Sequence, residues 1–296
     1  MLLGALEAGG TKMVLAVGNG NGQIADKISI PTTTPEDTMA GIIDYFLKHE
    51  IKALGVGCFG PLDLKASSPT YGYITSTPKL KWRNFPLVKT LTDALHIPVA
   101  LDTDVNGAAL AESTLGAARG LSSCLYVTVG TGIGGGLVVE GNLVHGLLHP
   151  EFGHMLLRPL DGDPTPDGFC PYHKGCLEGL ASGPAIEKRW GIPAKEMGPD
   201  HPAWAMEANY LSQMCVNAIV SFSPEKIILG GGVMQQMHLF PLIRKEVQRL
   251  LGGYVQHEAI IQAIDDYIIP PGLDTQSGII GAFQLAERAL TQGTSI

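Results

Sequence analysis

The chain lacks any run of eighteen apolar residues, so its sequence offers no membrane-spanning helix. It lacks a basic stretch at its start, and an acid, Glu7, arrives within seven residues. We therefore expect no secretory signal and a cytoplasmic protein. A basic excess is missing too. Lys and Arg number 20 against 28 Asp and Glu, a net charge of −8, which disfavours nucleic acid as a partner because that surface wants a clustered basic face. An anionic ligand must then be held by local backbone amides and a metal rather than by a global field. Cysteines are few: five, expected to be reduced in a chain without a secretion signal. Cys58, Cys124 and Cys215 sit in apolar runs and read as small buried side chains.

Glycine, by contrast, is abundant at 38 residues. With 45% apolar and only 16% charged residues the profile is that of a compact α/β protein with many tight turns. A length of 296 residues suffices for two domains, or for one two-lobed unit with a core in each half. LLGALEA, a GGT turn and KMVLAVG read as a hairpin, and NGNG turns the chain into QIADKISI. Residues 35–49 have helical spacing behind Pro35 and Glu36; IKALGVGCFG and IPVALDT read as buried strands, and 105–118 as a small-residue helix. The opening device then returns: SCLYVTVGTGIGGGLVVEG is again strand, glycine turn, strand, which we read as duplication of one unit. A loop-rich insert (145–180), a helix near 201–222, the strand KIILGGGV, another helix and a last helix near 276–291 complete a mixed α/β pattern.

The glycine turns have the character of phosphate cradles. In Glu7-Ala-Gly9-Gly10-Thr11-Lys12 and Val129-Gly130-Thr131-Gly132, absent Cβ atoms let consecutive N–H groups converge on oxygens. Thr11 and Thr131 add hydroxyl donors and Lys12 a charge. Neither is a Walker A loop, because G-x-x-x-x-G-K-[ST] is absent; neither opens a Rossmann unit, because strands rather than a helix follow. Either alone is compatible with an ordinary hairpin turn. Together with Gly230-Gly231-Gly232, between a strand and a helix, they suit a nucleotide lying between two lobes.

A second cluster is metal-like. His154 in HPEFGH is followed by Cys170-Pro-Tyr-His173-Lys-Gly-Cys176, a Cys₂His₂ set suited to tetrahedral Zn²⁺ with every position filled by protein. Four closed ligands imply a structural ion. His145, His149 and Tyr172 read as plain loop residues.

EAGGTK, DTDVNGAALAE, TVGTGIGGG, HPEFGH, C-x2-H-x2-C-x-EGLASGPA and LGGGV occur in the order seen in the ROK family of bacterial sugar kinases, and the chain most resembles its fructokinase branch. The resemblance covers nearly the whole length. It implies an α/β, two-lobed actin-like ATPase (ribonuclease H-like) fold with duplicated β-sheet cores and a zinc-bound loop. The lobes would be 1–116, completed by a C-terminal helix over 275–296, and 117–274. The implied partners are ATP/ADP with Mg²⁺ and a small sugar, in a homodimer. The first two glycine turns would bind the ATP phosphates, LGGGV the adenosine end, and the amides at Ser182-Gly183-Pro184 would face the nucleotide. Glu7, where many relatives have Asp, would keep a negative charge near Mg²⁺ or its water shell.

Phosphoryl transfer needs alignment, charge neutralisation and a base for the hydroxyl proton. Asp104 sits where a strand ends and a helix begins, so an ionised acid there is placed to be that base, although helix capping alone would also explain it. The resemblance makes Thr103 and Asp104 sugar-binding residues; the family's commoner Asp-Asn-Asp is Asp102-Thr103-Asp104 here, and because Thr103 offers a shorter, single hydroxyl, glucose specificity does not carry over. The resemblance gives Glu151, His154 and Glu178 to the sugar hydroxyls. It makes the expected activity an ATP-dependent hexose kinase, with fructose to fructose 6-phosphate as the leading candidate. The alternatives are a glucose, mannose or N-acetylamino-sugar kinase and a sugar-sensing transcriptional regulator.

Overall fold

A computed structural model describes residues 1–291; the last five residues of the expected C-terminal completion, 292–296, lie outside the described residues. The strands are β1 (Leu3–Ala8), β2 (Lys12–Gly18), β3 (Ile24–Pro31), β4 (Leu54–Cys58), β5 (Val99–Thr103), β6 (Ser123–Val129), β7 (Ile133–Val139), β8 (Asn142–Leu143), β9 (Ile227–Gly230) and β10 (Ile268–Ile269). The helices are α1 (Pro35–Leu47), α2 (Leu87–Leu95), α3 (Asp104–Thr114), α4 (Leu177–Ala181), α5 (Gly183–Trp190), α6 (Ala203–Phe222), α7 (Leu239–Leu251), α8 (Glu258–Ile261), α9 (Ile264–Tyr267) and α10 (Ser277–Thr291). No helix among the described residues is long and apolar enough to cross a membrane.

The chain divides into two compact units, one of residues 1–119, 141–150 and 276 onward, the other of 120–140 and 151–275. Residues 141–150, which the sequence reading left in the later lobe, group with the first unit. They are tied there by His145, which bonds Asp102, and His149, which bonds the backbone of Leu62.

In the first unit the strand order is β3-β2-β1-β4-β5. β1 pairs antiparallel with β2 and β2 with β3, whereas β1–β4 and β4–β5 are parallel. Parallel neighbours require crossovers, and α1 and α2 precede β4 and β5 to supply them. β1, β2 and β4 are buried almost throughout, which is why they read as continuous apolar runs rather than alternating ones. Leu6, Leu15, Ile42, Phe46, Leu54, Val56 and Leu91 form the centre of the core.

Helix α3 is buried from Val105 to Glu112 with no apolar stripe, so small side chains are required on every side. α10 lies against it so closely that a Cβ on Gly281 would come within 2.0 Å of the Gly107 carbonyl oxygen. The buried Glu112 carboxylate is satisfied by Ser277 Oγ at 2.7 Å and the Ala117 N–H at 2.8 Å, joining the end of α3 to the start of α10.

The second unit runs β10-β9-β6-β7, with β6–β7 antiparallel and β6–β9 and β9–β10 parallel. That order and sense repeat β5-β4-β1-β2, so the duplication read from two glycine turns is a duplication of topology. α6 and α7 pack together over Tyr210, Leu211, Met214, Phe240 and Ile243, all buried. Asp163 and Arg189, both buried, form an ion pair of 3.0 Å, and Asp163 also accepts from Tyr210 Oη at 2.5 Å. This network fastens the loop ahead of Cys170 to α5 and α6.

Candidate active site

The first glycine turn joins β1 to β2. The Gly9 N–H donates to the Lys12 carbonyl at 3.1 Å, and Thr32, just after β3, donates through Oγ1 to Gly9 O at 2.8 Å. A Cβ on Gly9 would lie 2.7 Å from Lys12 O, so glycine is required here by close approach. Of the three glycine turns only the third, at Gly231 with φ 91°, uses the left-handed region. Glu7 closes β1 with its carboxylate against Gly278 of α10. Burial holds this acid above the usual carboxylate range, against the pull of Lys12 and Lys27. A buried carboxylate of this kind fits a site that gains a cation.

Asp104 is the first residue of α3, directly beyond β5. Thr103, not Asp104, is the N-cap: its Oγ1 accepts from the Asn106 N–H at 3.1 Å. Capping therefore does not account for the Asp104 carboxylate, whose Oδ1 accepts from its neighbour Val105 N–H at 2.9 Å. Thr103 is 5% exposed, and its hydroxyl accepts the Asn106 N–H while keeping its O–H to donate. Gly57 on β4 backs this corner; a Cβ there would reach 3.3 Å from the Asp104 Cα.

The sequence reading missed what holds this corner. Asp102 is 5% exposed and accepts from the Thr103 N–H at 2.8 Å and Asn106 Nδ2 at 2.7 Å. His145 Nε2 reaches its other oxygen at 2.9 Å. The bond to Asp102 lifts the His145 imidazole above its ordinary range, with further support from the Leu143 backbone; partial burial and Arg288 oppose the shift. His149 is likewise no bystander: its buried Nε2 accepts from Leu62 N–H at 3.0 Å. No local pattern announces these histidines, because their partners are 43 and 87 residues away.

In the second unit the other two glycine turns come together. Gly130 N–H donates to Gly132 O at 2.9 Å to close the β6–β7 turn, and Gly183 N–H at the start of α5 donates to Gly130 O at 2.8 Å. A Cβ on Gly231 would lie 2.4 Å from Val129 O, so the third turn abuts the second. Ser182 caps α5, placing Gly183 and Pro184 in its first turn. Glu178 joins the same cluster: its Oε2 accepts from the Ile133 N–H at 2.9 Å, and a Cβ on Gly132 would meet it at 2.7 Å. Glu151 is exposed and opens the short 3₁₀ turn that carries His154.

His154, Cys170, His173 and Cys176 present ligand atoms all within 4.8 Å of one another. Cys170 Sγ lies 3.9 Å from His154 Nδ1 and 3.6 Å from His173 Nδ1, and Cys176 Sγ lies 3.8 Å from His154 Nδ1. Zinc bond lengths in a tetrahedron give sulfur–nitrogen edges of about 3.6 Å. The donor set therefore fits a closed four-coordinate metal ion. Burial, with Cys170 alongside, pushes the Cys176 thiol up to about 11, so binding a metal there must displace a proton. Cys176 Sγ also caps α4, accepting from Gly179 N–H at 3.4 Å, and α4 carries Glu178.

Repeated sheets, each opening on an antiparallel hairpin with a glycine turn and continuing in parallel strands, place the protein in the actin-like ATPase fold class. Within that class the chain belongs to the ROK family, whose family model matches residues 3–289. It is 48% identical over 290 residues to a fructokinase of Pediococcus pentosaceus, covering 98% of this chain and 99% of that one. Its fold is similar to the ROK hexokinase of Thermus thermophilus, with TM-score 0.81 and 29% identity over 99% of this chain and 100% of that one. It is similar too to a ROK family glucokinase from Streptomyces griseus solved with glucose and AMPPNP, with TM-score 0.76 and 25% identity over 97% and 100% of the two chains.

Proposed function

We propose that this protein transfers the terminal phosphoryl group of ATP to a hydroxyl of free fructose, giving fructose 6-phosphate, with Asp104 as the general base. The observation that carries the reading is the Asp104 corner. It is an acid at the carboxyl end of a parallel strand, one residue inside the N-cap Thr103, in a chain nearly half identical along its whole length to a fructokinase. As the sugar oxygen attacks the terminal phosphorus, Asp104 takes its proton. The bond from that phosphorus to the bridging oxygen breaks, and ADP leaves with the electron pair.

The turns at Gly9–Lys12 and Gly130–Gly132 bind phosphate oxygens, and Gly230–Gly232 with Pro184 takes the adenosine end. Mg²⁺ supplies charge neutralisation at the phosphates, and Glu7 is the carboxylate offered to it or to its water shell. Zn²⁺ held by His154, Cys170, His173 and Cys176 is structural: it fixes the loop from which Glu151, His154 and Glu178 hydrogen-bond sugar hydroxyls. Glu178 keeps Oε1 for that purpose while Oε2 holds the second glycine turn.

A coupled ADP-release assay across fructose, glucose, mannose and N-acetylamino sugars tests the reading. The highest kcat/KM should fall on fructose, and Asp104→Asn should lower kcat by about two to four orders of magnitude with nucleotide affinity kept. Activity within tenfold of the parent would remove Asp104 as the base; a preference for another sugar would remove fructose.

A further inference from the structure

Between β4 and α2 the chain makes a long excursion containing Thr77-Pro-Lys79-Leu-Lys-Trp82, to which no role has been given above. Its one half-buried lysine crosses the first glycine turn. A Cβ built on Gly10 would lie 2.7 Å from Lys79 Cε and 3.2 Å from Lys79 Nζ, and, beyond Gly10's own chain neighbours, no other heavy atom lies within 4 Å. The empty side-chain position of Gly10 is thus filled by the end of a lysine.

This placement is not that of a loose surface side chain. The Lys79 N–H donates to Oγ1 of the buried Thr77 at 3.3 Å, and its carbonyl accepts from the Trp82 N–H at 2.8 Å. Trp82 is buried, donates through Nε1 to Thr33 O at 3.0 Å, and stacks edge-on against Phe59 at 6.1 Å. The Lys79 ammonium sits 5.8 Å from the centre of the Phe59 ring. Among the described residues it forms no ion pair with a carboxylate. An ammonium held in place over a cradle of backbone amides, with no anion of its own, is a group waiting for one.

The geometry points to Lys79 as a second cation, beside Lys12, for the nucleotide's terminal phosphate at the Gly9–Thr11 turn; this rests on the proposed reading of that turn as a phosphate cradle. Glycine is then needed at position 10 because any side chain there takes the lysine's seat. A cation that follows the transferred group is worth most on the terminal phosphate, where charge shifts during transfer, and little on ADP.

The test compares steady-state kinetics and binding of AMPPNP and ADP in six variants, one of them the Gly10→Ala/Lys79→Ala double, whose melting temperatures match the parent. Lys79→Met should lower kcat/KM for ATP by about 10- to 100-fold, the range for one charge-assisted contact, with ADP affinity within twofold. Lys79→Arg should recover at least half of that loss on a logarithmic scale. Gly10→Ala should harm the parent but add nothing to Lys79→Ala, since the added methyl meets only Lys79. ATP kinetics of Lys79→Met within twofold of the parent, or Arg no better than Met, would overturn the assignment, as would additive losses in the Gly10 and Lys79 pair. Gly9→Ala, whose methyl would strike Lys12 O, separates this from the underlying reading. If it binds both nucleotides normally the cradle itself fails and Lys79 falls with it; if it loses both while Lys79→Met is unaffected, only Lys79 fails.

Discussion

Removing the Glu178 carboxylate should damage the nucleotide side of the reaction as well as the sugar side. One of its oxygens receives the Ile133 N–H at 2.9 Å, at the end of the Gly130–Gly132 turn. A hydrogen bond from a backbone amide to an ionised acceptor contributes about 1.5–3 kcal/mol, a factor of about 10 to 150 in affinity. Glu178→Ala should therefore weaken AMPPNP binding within that range while raising the sugar KM. Glu178→Gln keeps a carbonyl oxygen able to accept from Ile133, at about half the strength, so its nucleotide loss should be about 3- to 13-fold. Gly132→Ala supplies an independent route to the same fault, because its Cβ would stand 2.7 Å from Glu178 Oε2 and displace it. Isothermal titration with AMPPNP, read beside metal content and melting temperature, measures all three. If the alanine variant binds AMPPNP like the parent, or glutamine is no better than alanine, the carboxylate does not support the turn.

Two further outcomes follow from the same geometry. Freshly purified protein should contain about one zinc per chain by elemental analysis. A strong chelator should open residues 150–180 to limited proteolysis, because Cys176 is one of the proposed ligands and also caps α4; metal-free protein with an intact loop would refute the site. The His145–Asp102 pair predicts a pH dependence of stability. The folded imidazole is raised above its ordinary value near 6.5, so its contribution is complete below that value and is lost as pH rises through the elevated one. The melting-temperature gap between the parent and His145→Gln should be widest in mild acid and close in alkali. A gap that grows with pH would refute it. The groups facing this ring are Asp102, the Leu143 carbonyl, Asn106 and Arg288.

The sequence by itself determined the mixed α/β pattern, the glycine turns, the position of Asp104 and the His/Cys cluster. Each is written in local order: a run of apolar residues broken by glycines, an acid at a strand-to-helix junction, two cysteines and a histidine within seven residues. Local spacing fixes which atoms are near neighbours along the chain, and these signals need nothing more. Tertiary structure alone decided what surrounds them. Thr103 rather than Asp104 took the cap because the helix begins one residue earlier than its apolar pattern. His145 and His149, plain loop residues in one dimension, became partners of Asp102 and Leu62 once residues 141–150 joined the first unit. Glu178 reached back 45 residues to the second glycine turn, and Lys79 came to fill the side-chain space that Gly10 leaves empty. Such contacts depend on where separate segments meet in space, and no period or spacing along the chain encodes that meeting.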